Sequence, residues 1–453
     1  MISGTVKHVI HCVCLIGLIV LSQMFMVVPD NFTEDWTECD TARLIIFWIA
    51  KLATFGTIPQ LSFIFLGMLL YNSFSENVAP KGPFPLAPFI CFRVVTRGDF
   101  PQLVQNTVKR NLETCLSAGL KSFCFDIVTD KLINITPSGQ VRETVVPSTY
   151  KTKTGVLYKG RALQYCLEQD VNFLEDDTWI VHLDEETVLT ESSINGIVAF
   201  VMNGKHKFGQ GTITYANEQI VSLACTLMDC AIRVADDLGK LKFQLKFFHK
   251  MLFSWKGSFM VAQAGAERNV GFDHGVESSL SEDYFFGTQA LIRGYSFDFI
   301  EGEMWEKSPF TFRDYIKQRA RWLQGTYQYA TSNRIPGRYK ILAYIVFSVW
   351  VSVPILGING ILTSFMLTPY YPVCERSSLL LYIILLYFYF FGILHSFKKF
   401  GFMRIILYFA SFIIMLPIFL VLDSLAVFKV LFISTNTFQI VDKSLEQTKA
   451  NIV

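Results

Sequence analysis

The sequence predicts a mostly parallel α/β domain set between two groups of transmembrane helices, and three observations predict it. Charged residues make up 17% of the 453-residue chain and hydrophobic residues 51%, where a soluble globular protein carries roughly 25% charged residues. Uncharged apolar runs long enough to cross a hydrocarbon core gather at the two ends of the chain. The middle alternates short continuous apolar runs with helically spaced ones, as strands feeding crossover helices do. Low charge with a mean hydropathy of +0.37 excludes disorder. The near balance of 40 basic and 38 acidic residues argues against a nucleic-acid partner, which would draw a net basic surface. Ten cysteines are too sparse for a disulfide scaffold.

Residues 1–71 are expected to hold two spans. The first, residues 9–28, is uncharged, too long for the apolar core of a signal peptide and followed by no small-x-small cleavage site. The second, residues 44–70, is interrupted by Lys51 and Pro59, and Lys51 is expected to snorkel toward a headgroup. Residues 72–88 form a proline-rich linker. Residues 341–428 hold about three further spans, at 341–367, 379–397 and 405–422, and residues 429–453 are a tail. The loop of residues 29–43 carries Asp30, Glu34, Asp35, Glu38 and Asp40 against Arg43 alone. Arg334, Arg338, Lys340, Lys398, Lys399 and Arg404 flank the spans on the domain side. Basic residues on that side place the soluble domain in the cytosol. The sequon Asn31-Phe32-Thr33 then faces the lumen, close to the membrane. Cys39 and Cys374 share the lumenal side, where a disulfide and two separate thiols are both open.

The domain, residues 89–310, begins with the apolar run Ile90–Thr96, closed by Arg97-Gly98-Asp99. Helical spacing follows over residues 100–120. A second strand is expected at Phe123–Thr129, ending at Asp130. A helix is expected over 160–167, and a third strand at Trp179–Leu183 ending at Asp184. Ligands of such sheets bind at the carboxyl ends of the strands. That makes Arg97, Asp130 and Asp184-Glu185-Glu186 the first candidates.

Asp184 and Glu186 would point the same way from an extended segment, offering the hard oxygen ligands that suit Mg²⁺ or Mn²⁺. A solvated acidic turn would look the same. Glu282-Asp283 opens a helix-like stretch with Ser281 as N-cap, a pattern that also serves capping alone. Residues 311–340 read as an amphipathic interfacial segment. In it Gln318, Arg321 and Trp322 share one helix face by their i, i+3, i+4 spacing. A guanidinium beside an indole suits a pyrophosphate and a sugar ring. A lipid-facing helix, with Arg313, Lys317 and Arg319 on anionic headgroups, is the other reading.

The order of these motifs, a strand-end Asp, D-x-E, E-D, then Q-x-x-R-W before membrane spans, resembles the membrane-integrated family 2 glycosyltransferases. The resemblance implies a GT-A fold, with Arg97, Asp130, Asp184 and Arg321 on the nucleotide-sugar donor. Asp184 and Glu186 would hold a divalent cation (Mn or Mg), and Asp283 would be the catalytic base. Glu282, Gln318 and Trp322 would lie on the acceptor side and closing helix. The stretches Phe92–Gly98, Lys159–Tyr165, Trp179–Glu186, Trp255–Phe259 and Ser281–Gly287 are similar to the egghead-type β-1,4-mannosyltransferases of invertebrates. This implies transfer of mannose from GDP-mannose to glucosylceramide, by a multi-pass protein in the bilayer of the ER or Golgi. Two alternatives remain: a processive polysaccharide synthase of the same fold, and a transporter or receptor with a cytosolic domain.

Overall fold

The computed structural model describes residues 3–25, 33–34, 40–74, 78, 86–136, 138–357, 368–369 and 371–433. Several sequence expectations fall outside the described residues. They are residues 26–28 of the first expected span, Asp30, Asp35 and Glu38 of the acidic loop, Asn31 and Phe32 of the sequon, Cys39, linker positions 75–77 and 79–85, residues 358–367 of the third expected span, and the tail from 434.

The domain is built on a seven-stranded sheet. Its strands are β1 (Ile90–Thr96), β2 (Phe123–Thr129), β3 (Val141–Val145), β4 (Trp179–Leu183), β5 (Phe208–Thr214), β6 (Met260–Gln263) and β7 (Phe297–Trp305). They lie in the order β3-β2-β1-β4-β6-β5-β7. All neighbours are parallel except β6, which runs antiparallel to both β4 and β5. This is the mostly parallel α/β architecture that the sequence predicts, and β1, β2 and β4 begin and end where the apolar runs do. Every residue of β2, β4 and β5 is buried, because helices cover both faces of a parallel sheet.

Four helices follow strands or connect them: α4 (Pro101–Ser117), α5 (Tyr158–Tyr165), α6 (Glu191–Asn203) and α9 (Ala264–Val270). Two more carry expected site residues, α10 (Glu282–Ile292) and α11 (Phe312–Thr331). The apolar ends of the chain form α1 (Gly4–Met24), α2 (Thr41–Gly56), α3 (Ile58–Leu70), α12 (Gly337–Val351), α13 (Pro372–Ser396) and α14 (Phe402–Phe432). Among the described residues, α1, the continuous pair α2–α3, α13 and α14 are long and apolar enough to cross a membrane. Pro59 sits in the first turn of α3, where its missing N–H costs least, and marks the joint with α2. Lys51 corrects an expectation. It does not extend toward a headgroup but is buried, with its ammonium 2.7 Å from Glu375 and 3.2 Å from Ser378 Oγ on α13. An ammonium this deep needs a carboxylate partner, and Glu375 in the first turn of α13 supplies it.

A buried helical slab unread in the sequence joins the two regions. It comprises α7 (Leu223–Asp236), a π-helical turn (Asp237–Leu241) and α8 (Lys242–Phe247). Helix α3 crosses the π turn so closely that a Cβ on Gly67 would stand 2.1 Å from the Gly239 carbonyl oxygen. Helix α13 crosses α7 at Gly392, whose Cβ would meet the Cys230 carbonyl oxygen at 2.2 Å. Small residues at both crossings let backbones touch, as between packed membrane helices.

Candidate active site

The carboxyl ends of β1, β2 and β4 open into one cavity of about 760 Å³. The residues singled out from the sequence all line it: Arg97, Asp130, Asp184, Glu185, Glu186, Glu282, Asp283, Gln318, Arg321 and Trp322. The same cavity continues between the helices, past Val349 and Trp350, Leu385 on α13 and Leu420 on α14.

The acidic tripeptide is a turn and not an extended segment, which corrects the expected geometry. The Thr187 N–H donates to the Asp184 carbonyl at 3.1 Å, and the Asp184 N–H reaches Thr187 Oγ1 at 3.2 Å. Thr187 is itself fixed, donating to the buried Glu306 at 2.7 Å and lying 2.9 Å from Ser258 Oγ. In this turn Glu185 accepts from Thr96 Oγ1 at 2.6 Å, and Glu186 is buried. The three side chains offer carboxylate oxygens only, the donor set of a hard divalent cation. Asp184 Oδ1 already attracts a cation here, the Lys159 ammonium at 2.5 Å. These residues fit a divalent cation.

Lys159, from the first turn of α5, is the hub of the charges. Its Nζ also donates to the Gly257 carbonyl at 3.1 Å. Burial alone would lower its pKa, but Asp184 and Glu282 raise it above the ordinary lysine range, so it stays protonated. Across from it, Glu282 and Asp283 open α10. Burial first and the neighbouring Asp283 second push the Glu282 carboxyl up to about 7, with Lys159 opposing. Burial also raises Asp283, against the pull of the Tyr284 N–H and Lys159. The Tyr284 N–H donates to Asp283 Oδ1 at 2.7 Å. A Cβ added at Gly257 would lie 3.2 Å from Lys159 Nζ and 3.5 Å from Asp283 Oδ2, so glycine there keeps the space between these charges open. Ser281 stands at the N-cap but makes no side-chain cap. Its hydroxyl instead donates to the Gly325 carbonyl at 3.2 Å, tying α10 to α11.

At the other strand ends, Asp130 pairs with Arg161 of α5, and Arg97 is half-exposed beside Asp99 at 3.5 Å. On α11 the amide oxygen Gln318 Oε1 is buried without a hydrogen-bond partner among the described residues. Two guanidinium groups lie over the Trp322 ring, Arg319 at 4.7 Å and Arg233 of α7 at 4.8 Å from its centre. The fully buried Asp229 accepts from both, at 2.8 Å from Arg319 and 3.4 Å from Arg233. This corrects the lipid-facing reading of Arg319. A carboxylate inside the domain holds it, and its ring partner on the other side is Tyr315 at 4.6 Å. Tyr315 in turn donates to Asp423 of α14 at 3.0 Å. Helix α14 therefore reaches ten residues beyond the expected end at 422.

Sequence reasoning missed Lys159, Gly257, Glu306 and the Asp229–Arg233 pair as site residues. Lys159 and Gly257 lie inside stretches that carry the family resemblance, which is the only local signal they have.

The chain matches the model of the glycosyl transferase family group 2 over residues 179–422. It is 46% identical over 451 residues to the beta-1,4-mannosyltransferase egh of Drosophila melanogaster, with 98% of each chain covered. It is 43% identical over 455 residues to the beta-1,4-mannosyltransferase bre-3 of Caenorhabditis elegans, covering 97% of this chain and 99% of that one. Among solved structures it is similar to the mannosyltransferase PcManGT from Pyrobaculum calidifontis, in complex with GDP-Man and Mn2+. The TM-score is 0.46 at 12% identity, over 85% of this chain and 100% of that one. The chain belongs to the family 2 glycosyltransferases and, within them, to the egghead-type β-1,4-mannosyltransferases.

Proposed function

We propose that the protein transfers mannose from GDP-mannose, in β-1,4 linkage and with inversion, to the glucose of a glucosylceramide-type lipid. The observation that carries this reading is the single cavity running from the carboxylates of Asp184, Glu282 and Asp283 to apolar side chains between α12, α13 and α14. A sugar on a lipid tail has both needs met there, a polar end with charges and an apolar end among membrane-type helices. The names of the relatives support the sugar and the linkage.

Residues 89–310 form the catalytic domain, facing the cytosol in the ER or Golgi, and residues 311–340 the helix that closes it. Arg97 and Asp130 bind the nucleotide of the donor. Asp184 and Glu186 hold a divalent cation, manganese or magnesium, which when bound supplies charge neutralisation for the diphosphate. Arg321 adds positive charge from α11. Asp283 accepts the proton of the acceptor hydroxyl as that oxygen bonds to the anomeric carbon. The bond from this carbon to the diphosphate oxygen breaks on the opposite face, and GDP leaves. Glu282, Gln318 and Trp322 position the acceptor sugar.

The test is mass spectrometry of lipid products after membranes carrying the protein receive glucosylceramide and a panel of nucleotide sugars. One added hexose from GDP-mannose alone, lost in excess chelator, is the expected result. A ladder of products would make it a polymerase. No product from GDP-mannose would remove the donor assignment.

A further inference from the structure

We propose that His8, His11 and Cys12 of α1 form a binding site for a zinc-class ion, separate from the glycosyl-transfer site. Their i, i+3, i+4 spacing puts all three on one helix face. One ligand atom from each lies within 4.8 Å of the other two. Cys12 Sγ is 3.7 Å from His8 Nε2, close to the separation of two ligands placed about 2.0 and 2.3 Å from one tetrahedral ion.

His11 is also held in place by an outer partner. The Tyr387 hydroxyl of α13 donates its one proton to the His11 carbonyl at 3.0 Å. Its oxygen also lies 2.6 Å from His11 Nδ1, so the ring is held from that side whichever atom donates. The other ring nitrogen, Nε2, is buried with no hydrogen-bond partner among the described residues. Holding a ring from behind is how outer partners orient metal-bound histidines.

The Cys12 thiol donates to the Leu69 carbonyl of α3 at 3.9 Å, a contact that metal binding would give up. Two imidazoles and a thiolate select zinc over the magnesium or manganese that oxygen ligands take. Binding converts the Cys12 thiol to a thiolate and releases its proton to solvent. The ion would fasten the start of α1 against the end of α3.

The full chain, purified in detergent and stripped with chelator, is dialysed against Zn²⁺ with a large excess of Mg²⁺ to fill oxygen sites. One zinc per chain is expected, and Co²⁺ in its place should give a thiolate charge-transfer band. Cys12→Ser, a near-isosteric change, should abolish that band. Cys12→Ser and His8→Gln should each weaken zinc binding more than roughly tenfold, beyond the smallest loss from disturbing an outer partner. Wild-type protein that binds no zinc, or gives no thiolate band with Co²⁺, overturns the proposal whatever the variants do. Unchanged zinc binding by both variants overturns it too.

Discussion

Asp283→Asn separates a base from a helix cap. The amide keeps an acceptor oxygen for the Tyr284 N–H, now 2.7 Å from Oδ1, so the start of α10 has no reason to unwind. What is lost is the group that can take a proton. General-base catalysis contributes about 10²–10⁴-fold, or ~3–5 kcal/mol at 1.36 kcal/mol per tenfold. The pH profile should change as well. Glu282 and Asp283 are adjacent carboxyls that titrate as a pair, and both are raised by burial, Glu282 to about 7. A base works only when deprotonated, so wild-type transfer should climb with pH through an inflection above the ordinary aspartate range. With a neutral amide at 283, Glu282 loses its like-charged neighbour and its pKa falls. The residual activity should therefore lose that inflection or carry it at lower pH. The assay is the initial rate of mannosyl-lipid formation between pH 5 and 9, beside GDP-mannose affinity on the same membranes. A variant that keeps more than about a tenth of the wild-type rate has lost less than the low end of that range. Such a result would show that Asp283 is not the base.

Glu282→Gln should stabilise the ligand-free protein at high pH. A carboxyl raised from 4.5 to about 7 supports the fold below its ordinary range and withdraws that support as pH climbs through 7. The gain should approach at most about 3 kcal/mol at pH 8 and be much smaller at pH 5. Thermal melts at both values check it, and equal shifts would exclude the linkage. Asp229→Asn should cost about 3–5 kcal/mol, because two buried guanidinium groups lose their shared counter-ion. Denaturant melts report the loss, and a change below about 1 kcal/mol would mean that the cage contributes little. Gly67→Ala should cost about 1–3 kcal/mol, since its Cβ would stand 2.1 Å from the Gly239 carbonyl oxygen. Gly17→Ala, with nothing within 4 Å, is the matched control in the same melts.

Strands β1, β2 and β4 were legible because both their faces are buried, which turns the sequence into an unbroken apolar run. The other side of the sheet hides its strands. Phe208–Thr214 carries two glycines, and Phe297–Trp305 carries three acidic residues, so neither shows an apolar run or a clean alternation. The slab around Asp237–Leu241 also escaped notice. Its residues are buried by partners distant in sequence, α3 and α13, and a local window contains neither. The same distinction divides the site. Asp184, Asp283, Arg321 and Trp322 announce themselves through short motifs. Lys159 becomes part of the site only when α5 brings it to Asp184, and Asp229 only when α7 lies alongside α11. The acidic turn shows a finer limit. Which residues follow β4 is plain in the sequence, but Thr187 bends them back on themselves through bonds to Ser258 and Glu306.

The two glycine crossings make the enzyme hard to cut. The sheet without the spans would keep every strand and every charged site residue up to Asp283, yet α7 would lose the helix lying on Cys230 and Ala231, and the π turn the helix lying on Gly239. Leu227, Met228, Val234, Leu238 and Leu241, all buried in the whole chain, belong to this slab, and uncovering it would leave an apolar surface of the kind that drives aggregation. The Asp229 cage around Trp322 sits on the same helix. A water-soluble fragment would thus fail first at the floor beneath its own closing helix. Detergent or lipid substitutes that merely loosen α3 and α13 should silence the enzyme while its sheet is still folded.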